Sequence, residues 1–215
     1  MLNLSGKNAL VTGIANNKSI AWGIAQQLHA AGANIGITYL PDEKGKMERK
    51  VAELVEPLNP SIYLPLNVQD DAQIDQSFAE IGEKWGRIDI LIHCLAFANK
   101  EDLSGDFSKT SRAGFAQAMD ISTYSLTRLA GAAKPLMTAG GSINGISAGP
   151  IRTLASSAVG GILDMIHHVE EIAPLRRTVT QTEVGNTAAF LCSELSSGIT
   201  GQIIYVDAGY ETIGM

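Results

Sequence analysis

The sequence predicts an α/β protein with a doubly wound, mostly parallel sheet, in which residues 1–215 form one domain. Short apolar segments alternate with segments of helical periodicity along the whole chain, as such a sheet requires. The first pair shows the pattern: an apolar run at 9–12 precedes a helix with Ile20, Ile24 and Leu28 at four-residue spacing. A length of 215 residues with 45% hydrophobic content also provides for a large core.

The other elements follow in the same alternation. Strands are predicted at 34–39, 62–66, 88–96 and 202–206, and a short glycine-rich strand with its turn at 140–150. Helices are predicted at 19–31, 43–58, 70–85, 111–137, 162–172 and 184–195. The strand at 88–96 is almost entirely apolar, so we expect it in the centre of the sheet. Pro135 should end or bend the long helix, and Thr180 with Glu183 forms a predicted capping box.

The turn between the first strand and the first helix is the leading candidate for a binding site. Gly13 ends the strand and Ser19 opens the helix, whose unpaired N–H groups and partial positive charge suit a diphosphate. Only one glycine of the usual G-x-G-x-x-G fingerprint is present, with Asn17 and Ser19 where glycines are expected. The sequence therefore indicates a dinucleotide cradle, with a purely structural turn as the alternative.

The end of the second strand does not indicate which dinucleotide is bound. Proteins that bind NAD commonly carry an acidic residue here for the adenosine ribose. This chain has Leu40 after Tyr39, and the first acidic residue is Asp42. Lys44, Lys46 and Arg49 follow, but no arginine stands at the strand end, so both NADH and NADPH remain open.

Composition narrows the function classes. The net charge of −6 and a pI near 5.2 argue against nucleic acid or an anionic membrane as the main partner. Cys94 and Cys192 lack the companions of a metal site, so we expect no metal and two reduced core thiols. The N-terminus lacks the anatomy of a signal peptide, and no apolar run approaches a membrane span, so we expect a cytoplasmic protein.

Six motifs stand in the order found in one enzyme family. They are 12–20, 92–98, 120–125, 144–155, 174–179 and 206–209. In these motifs the chain resembles bacterial, and in particular cyanobacterial, enoyl-acyl-carrier-protein reductases of the short-chain dehydrogenase/reductase family. The resemblance covers nearly all residues, and the segment Ser147–Ala155 is the most specific part of it. It implies a Rossmann-like domain that uses NADH, with NADPH as the alternative, to reduce a trans-2-enoyl thioester carried by acyl carrier protein in fatty acid synthesis.

The resemblance also implies roles for individual residues. Gly13, Ser19 and Ile20 would hold the diphosphate and the adjacent ribose, whereas Leu40, Asn67 and Val68 would border the adenosine. Leu95 would lie near the nicotinamide ribose, Ala98 beside the acyl substrate, and Ile151, Arg152, Thr153, Leu154 and Ala155 around the nicotinamide. The family usually has Asp where this chain has Asn67, and an amide can still hydrogen-bond the adenine.

One departure affects the mechanism. In the family, a strand after the positions of Ser142 and Ile143 leads to two tyrosines, and six residues separate the second from a lysine on the next helix. Here Ile143 is followed directly by Asn144, and no Tyr-x6-Lys occurs between Gly141 and Gly149. The chain is one strand–helix unit short of the family pattern, because such a unit needs about 30 residues. Deletion of the unit and its omission from the recorded sequence both remain open.

The missing groups are the expected catalytic residues. A tyrosine hydroxyl would stabilise the negative charge that develops on the thioester oxygen, and the lysine would hold the nicotinamide ribose. Tyr124 is a weak substitute, and packing between helices is its more ordinary role. His93 is more readily explained as a hydrogen-bonded core histidine than as an acid. A dinucleotide-binding protein without catalysis, acting through interactions, is the alternative function, and a reductase of ketones is a second one.

The resemblance implies partners as well. Relatives are homotetramers, in which the long helix and the missing helix form an interface, so a homo-oligomer is expected. Arg152, Arg176 and Arg177 could attract an acidic carrier protein, with ordinary surface positions as the alternative.

Overall fold

The computed structural model describes residues 2–139 and 141–213. The strands are β1 (Asn8–Val11), β2 (Asn34–Tyr39), β3 (Ile62–Pro65), β4 (Ile90–Ile92), β5 (Gly145–Ala148) and β6 (Ile203–Val206). The helices are α1 (Ile20–Ala30), α2 (Lys46–Val55), α3 (Asp71–Trp85), α4 (Arg112–Met119), α5 (Ser125–Ala133), α6 (Ile162–Ile172) and α7 (Gln181–Leu191). Gly140, the first residue of the predicted glycine-rich strand, lies outside the described residues.

The larger sheet has the strand order β3-β2-β1-β4, and every pair is parallel. Ala9 at the centre is in register with Ile35 on one side and Ile90 on the other. Because helices cover both faces, the central strands are fully buried, and Leu10 faces a different core cluster from its neighbours in β1. The predicted doubly wound α/β fold is confirmed.

The prediction that the fourth strand is central and extends over 88–96 is wrong. β4 has three residues and is paired with β1 alone, while β5 and β6 form a separate parallel sheet in the described part of the chain. The resemblance implies that the missing strand–helix unit would supply a strand between these two sheets. Without that neighbour, the apolar residues after Ile92 have no second strand to pair with, and they continue as a loop.

Both sheets are held on the same side by α1 and α7. Ile92 of β4 and Ile146 of β5 pack against one core cluster, which contains residues of both helices. The helices approach closely at two glycines: a Cβ on Gly185 would lie 2.6 Å from the carbonyl oxygen of Gly23. The two sheets are therefore tied together through a shared helix layer.

α2 and the long helix differ from the prediction, each for a local reason. α2 begins at Lys46, not at residue 43, because the carboxylate of Asp42 accepts hydrogen bonds from the Lys44, Lys46 and Met47 amides. The long helix is interrupted by a π-helical segment at Asp120–Tyr124 and ends before Pro135.

The capping box is confirmed. The Thr180 side chain accepts a hydrogen bond from the Glu183 amide, and the Glu183 carboxylate accepts one from the Thr180 amide. α7 therefore begins at Gln181 rather than at 184, and it ends at Leu191 rather than at 195.

One face of the long helix is exposed. Phe115, Met119 and Leu126 are 53%, 43% and 41% exposed, although Leu129 on the same helix is fully buried. None of the helices in residues 2–139 and 141–213 is long and apolar enough to cross a lipid bilayer.

Candidate functional site

In the turn after β1, the backbone at Gly13 lies very close to the backbone of the segment after β4. Gly13 has φ of +90°, a conformation that L side chains rarely adopt. A Cβ at this position would lie 2.0 Å from the carbonyl oxygen of Cys94 in the segment after β4. Only glycine fits there, and the turn leaves β1 directly beside the end of β4.

Ser19 closes the turn. Its Oγ accepts hydrogen bonds from the amides of Ala15 and Asn16, at 3.0 and 3.1 Å. Because the oxygen accepts both bonds, its own proton remains available to donate to a ligand. The sequence predicted a hydroxyl that donates to a phosphate, and the structure adds that the same hydroxyl shapes the turn.

A residue that the sequence analysis did not identify supports this turn. The side-chain amide of Gln181, the first residue of α7, donates to the carbonyl oxygen of Ser19 at 2.5 Å. These two residues are 162 positions apart, and nothing in the local sequence of α7 indicates the contact. The start of α1 is thus fixed by the start of α7.

The ends of β1 and β4 are linked by side chains. The Thr12 hydroxyl donates to the carbonyl oxygen of Ile92 at 2.8 Å and accepts a hydrogen bond from the Cys94 amide. Burial raises the pKa of the Cys94 thiol to about 11 and that of Cys192 to about 12. Both cysteines are free and unreactive at neutral pH, as expected of core thiols.

The end of β2 lies beside this turn, and the end of β3 lies one strand further out. Leu40 follows β2 and is 60% exposed, so an apolar side chain stands where an acidic residue is common. The carboxylate of Asp42 is occupied by the amides at the start of α2. After β3, the Asn67 carbonyl oxygen Oδ1 accepts a hydrogen bond from Gln69, and Val68 packs partly into the core.

His93 has a structural contact. Its Nε2 lies 2.7 Å from Ser125 Oγ, and that hydroxyl donates its proton to the carbonyl oxygen of Ile121. The histidine must therefore be the donor, with its proton on Nε2. Burial lowers the pKa of His93 below its usual value, so the ring is neutral at pH 7. These contacts support the interpretation of a hydrogen-bonded core histidine.

The π-helical segment borders the loop that follows β4. Ser122 accepts a hydrogen bond from the Phe97 amide and donates to its carbonyl oxygen, at 3.1 and 3.3 Å. Leu95 is partly buried against the core and Ala98 is half-buried. Tyr124 is 54% exposed, so it does not serve as a buried packing residue between the helices described.

The turn after β5 has a defined shape. Ile151 packs partly into two core clusters, and its carbonyl oxygen accepts a hydrogen bond from the Ser156 hydroxyl. Ser156 and Thr153 also bond each other's amides through their side chains. Arg152, Leu154 and Ala155 in this turn are exposed.

Two of the three candidate arginines, Arg176 and Arg177, form side-chain hydrogen bonds within the protein. Arg177 forms a two-pronged ion pair with the Glu183 carboxylate, at 2.7 and 3.1 Å. Arg176 donates to the carbonyl oxygen of Glu171. Arg152 is exposed, and its side chain makes no hydrogen bond or ion pair with the described residues.

The order of the strands brings these groups together. Parallel strands end at one edge of a sheet, and the candidate residues follow the ends of β1 to β5. The glycine cradle, the start of α1 and the Ser19 proton fit a dinucleotide diphosphate. Within residues 2–139 and 141–213, no group of three His, Cys, Asp or Glu side chains could hold a metal ion.

Comparison with known proteins decides the family. A family profile described as enoyl-(acyl carrier protein) reductase matches residues 13–143 and 143–211. The chain belongs to this family. It is 67% identical to the NADH enoyl-acyl-carrier-protein reductase FabI of Nostoc sp. and 62% identical to that of Synechocystis sp., each over the full length of both chains. The crystal structure of the Bacillus cereus reductase, solved with NADP+ and indole naphthyridinone, superposes with a TM-score of 0.95 at 40% identity, and the match covers 100% of both chains.

The same comparisons locate the missing unit. The alignment with the Nostoc reductase has 258 positions and includes all 215 residues of this chain, which leaves 43 positions without a residue here. The family profile breaks at residue 143 and resumes there. Ile143 and Asn144 stand immediately before β5, so the gap lies where the second sheet separates from the first.

Proposed function

We propose that this protein binds NADH at the carboxyl edge of its sheet and reduces a trans-2-enoyl thioester on acyl carrier protein. The observation that carries the proposal is the 67% identity to a relative named as an NADH-dependent reductase, over the full length of both chains. Bound NADH would supply hydride to the β-carbon of the thioester. Residues 1–215 act as one domain in this proposal, since both sheets pack on α1 and α7.

The diphosphate would be held by the turn between β1 and α1. Gly13 lets the phosphates approach the backbone, Ser19 donates its hydroxyl proton, and Ile20 provides an amide at the start of α1. The partial positive charge of the helix start favours a dianionic ligand. This subsite is complete in the chain.

The adenosine would lie over the ends of β2 and β3. Leu40 would contact its apolar face, and Val68 would pack beside it. The Asn67 side chain would bond the adenine through the lone pair of Oδ1 that Gln69 leaves unused. NADH is the proposed cofactor because the two cyanobacterial relatives are named for it, and NADPH is the alternative to be tested.

The nicotinamide would lie between the ends of β4 and β5. Leu95 would border its ribose and Ala98 the acyl chain. The turn formed by Ile151, Arg152, Thr153, Leu154 and Ala155 would flank the ring, and the bonds between Thr153 and Ser156 would hold it in shape. Arg152 is also the proposed contact for the acidic carrier protein.

The catalytic donor is the incomplete part of the site. The resemblance implies that the Tyr-x6-Lys pair would stand in the 43 positions without a residue here, and Tyr124 is a weak candidate to replace it. Loss of one such donor lowers rates by about 10²–10³. We therefore expect slow turnover, and we expect Tyr124→Phe to leave it unchanged.

The proposed assembly is a homo-oligomer. The exposed apolar face formed by Phe115, Met119 and Leu126 supports an interface on the long helix.

The experiment measures binding and turnover separately. Calorimetry gives the Kd for NADH and NADPH, and the loss of NADH absorbance with crotonyl-acyl-carrier-protein gives the rate. NADH binding with slow reduction supports the proposal. Failure to bind either nucleotide contradicts it. Binding without any reduction selects the second function, a dinucleotide-binding protein without catalysis, which the missing unit favours.

A further inference from the structure

Membership of the family does not decide which nicotinamide nucleotide is bound. The FabI enzymes of Bacillus subtilis and Staphylococcus aureus are both 42% identical to this chain, yet the first is named for NADH and the second for NADPH. The two nucleotides differ in one group, the 2′-phosphate on the adenosine ribose of NADPH. In dinucleotide-binding folds the segment after the second strand meets that ribose. The choice of cofactor should therefore depend on the residues that follow β2.

The segment between β2 and α2 is folded around Asp42. Its carboxylate oxygen Oδ1 accepts hydrogen bonds from the amides of Lys44 and Lys46 at 3.0 and 3.1 Å, and Oδ2 accepts one from the Met47 amide at 2.5 Å. The main-chain carbonyl oxygen of the same residue accepts a fourth bond, from the Gly45 amide at 3.0 Å. Asp42 thus accepts hydrogen bonds from four successive amides at the start of α2.

This arrangement has the form of an anion site that is already filled. Successive main-chain amides that converge on one point form a concavity that binds phosphate oxygens, and the partial positive charge of a helix start adds to the attraction. Here a carboxylate of the same chain occupies the concavity. The Met47 and Lys46 amides lower the pKa of Asp42 below its usual value, so the carboxylate is charged at neutral pH. A phosphate brought to this segment would meet a negative charge and amides that are already bonded.

The basic residues of the segment are also accounted for. Folds that bind NADP commonly use an arginine near the end of the second strand. Arg49 is the first arginine after β2, and its guanidinium Nη2 donates to the carbonyl oxygen of Lys44 at 3.2 Å. Lys44 and Lys46 are matched in number by Asp42 and Glu43, so the residues from the end of β2 to the first of α2 carry no net charge.

We propose that Asp42 selects NADH over NADPH, because its carboxylate fills the amides at the start of α2 and repels a 2′-phosphate. The ribose of NADH has a hydroxyl in place of that phosphate, and a neutral hydroxyl is not repelled by the carboxylate. This role rests on the proposed function, in which the adenosine lies over the ends of β2 and β3. It adds to that function the residue that distinguishes the two cofactors.

Calorimetry with NADH and NADPH on the full chain tests the selection. The wild type should bind NADPH at least about tenfold more weakly than NADH, since the 2′-phosphate would stand beside a carboxylate. Asp42→Asn keeps the size of the side chain and the acceptor Oδ1, but it removes the charge. It should lower the Kd for NADPH about fivefold or more and leave the Kd for NADH nearly unchanged. Glu43→Gln removes the same charge from the neighbouring exposed residue, and as the matched control it should leave both Kd values unchanged.

Asp42→Ser guards against a local loss of structure in the first variant. Serine also caps the start of a helix but carries no charge, so this variant should favour NADPH in the same direction as Asp42→Asn. If both variants retain NADH binding and the ratio of the two Kd values stays as in the wild type, the role of Asp42 is overturned. Equal or tighter binding of NADPH by the wild type overturns it as well.

Reduction of crotonyl-acyl-carrier-protein separates this role from the proposed function. A preference for NADH that is lost in Asp42→Asn, in a protein that reduces no enoyl thioester, would overturn the reductase and leave the role of Asp42 standing. Turnover by the wild type with the same kcat/KM for NADH and NADPH would support the reductase and overturn the role of Asp42.

Discussion

Single residues fix the shape of the candidate site. Gly13 is required by its backbone angle and by the carbonyl oxygen of Cys94, and Ser19 serves as an acceptor for two amides of the same turn. Both residues stand beside the start of α1, where a diphosphate is favoured. Changes of one or a few atoms should therefore be measurable at both positions, in folding stability at Gly13 and in cofactor binding at Ser19.

Gly13→Ala should lower the free energy of unfolding by about 2–4 kcal/mol, since the new Cβ collides with Cys94 and the backbone angle is strained. Gly86→Ala is the matched control: its φ is also positive, at +67°, but a Cβ there meets no atom of the described chain within 4 Å. It should cost about 1–2 kcal/mol. Urea unfolding measures the free energy of unfolding of both variants. Equal losses of stability would contradict a collision of the Gly13→Ala methyl group with Cys94.

Ser19→Ala should raise the Kd for NADH at least about tenfold, because it removes a donor to a charged group and the acceptor that closes the turn. Calorimetry measures the change. Ser197→Ala, at an exposed position remote from this turn in the sequence, should leave the Kd unchanged. An unaltered Kd for Ser19→Ala would show that the diphosphate is held elsewhere.

At the scale of elements, α7 supports the site through its capping box and its contact with α1. Arg177 and the Thr180 amide hold the Glu183 carboxylate, and Gln181 next to it bonds the start of α1. These bonds connect the stability of one helix start to the geometry of another. The cap is therefore a place where stability and cofactor binding should change together.

Thr180→Ala should lower the free energy of unfolding by about 1 kcal/mol through loss of the cap, and it should weaken NADH binding through Gln181. Thr182→Ala, an exposed neighbour on α7, is the control. Urea unfolding and calorimetry on the same samples measure the two effects. A fall in stability with an unchanged Kd for NADH would contradict the proposed coupling between the α7 cap and the cofactor site.

The capping carboxylate also gives a pH dependence. The Arg177 guanidinium and the Thr180 amide lower the pKa of Glu183 to about 2, from an ordinary value of 4.5. A depressed pKa stabilises the fold above pH 4.5, and this contribution is lost as the pH falls towards 2. The stability difference between the wild type and Glu183→Gln should therefore shrink between pH 5 and about pH 2. A difference that does not change with pH would contradict this.

At the scale of the whole molecule, the interruption of the sheet is the dominant feature. It leaves β4 at an edge of the described sheet, with one face of β6 exposed, and it removes the expected donor and its lysine, while the turn from Gly13 to Ser19 is intact. Binding and catalysis are therefore expected to be separable in this protein.

Inserting the 43 relative residues between Ile143 and Asn144 should raise kcat by about 10²–10³ or more, since it restores the donor, while the Kd for NADH changes little. The control is the same insertion with the tyrosine that precedes the lysine replaced by phenylalanine. Intact mass spectrometry of the starting protein should give 22.7 kDa. A heavier chain would show that the unit is already present, and equal rates for the two insertions would contradict the role of the tyrosine.

The sequence by itself determined the α/β class, the turn from Gly13 to Ser19 and the capping box, because each depends on residues close together in the chain. It also indicated the missing unit, since the family order of motifs can be read without coordinates. Only the tertiary structure decided that β4 is an edge strand of the described sheet, that the Gln181 side chain donates a hydrogen bond to the Ser19 carbonyl oxygen, and that Arg177 is paired with Glu183. The first two depend on contacts between segments that are distant in the sequence, and the Arg177–Glu183 pair depends on the local path of the chain before α7. An apolar segment has the same sequence pattern whether or not a neighbouring strand is present, so strand pairing is decided by the tertiary structure.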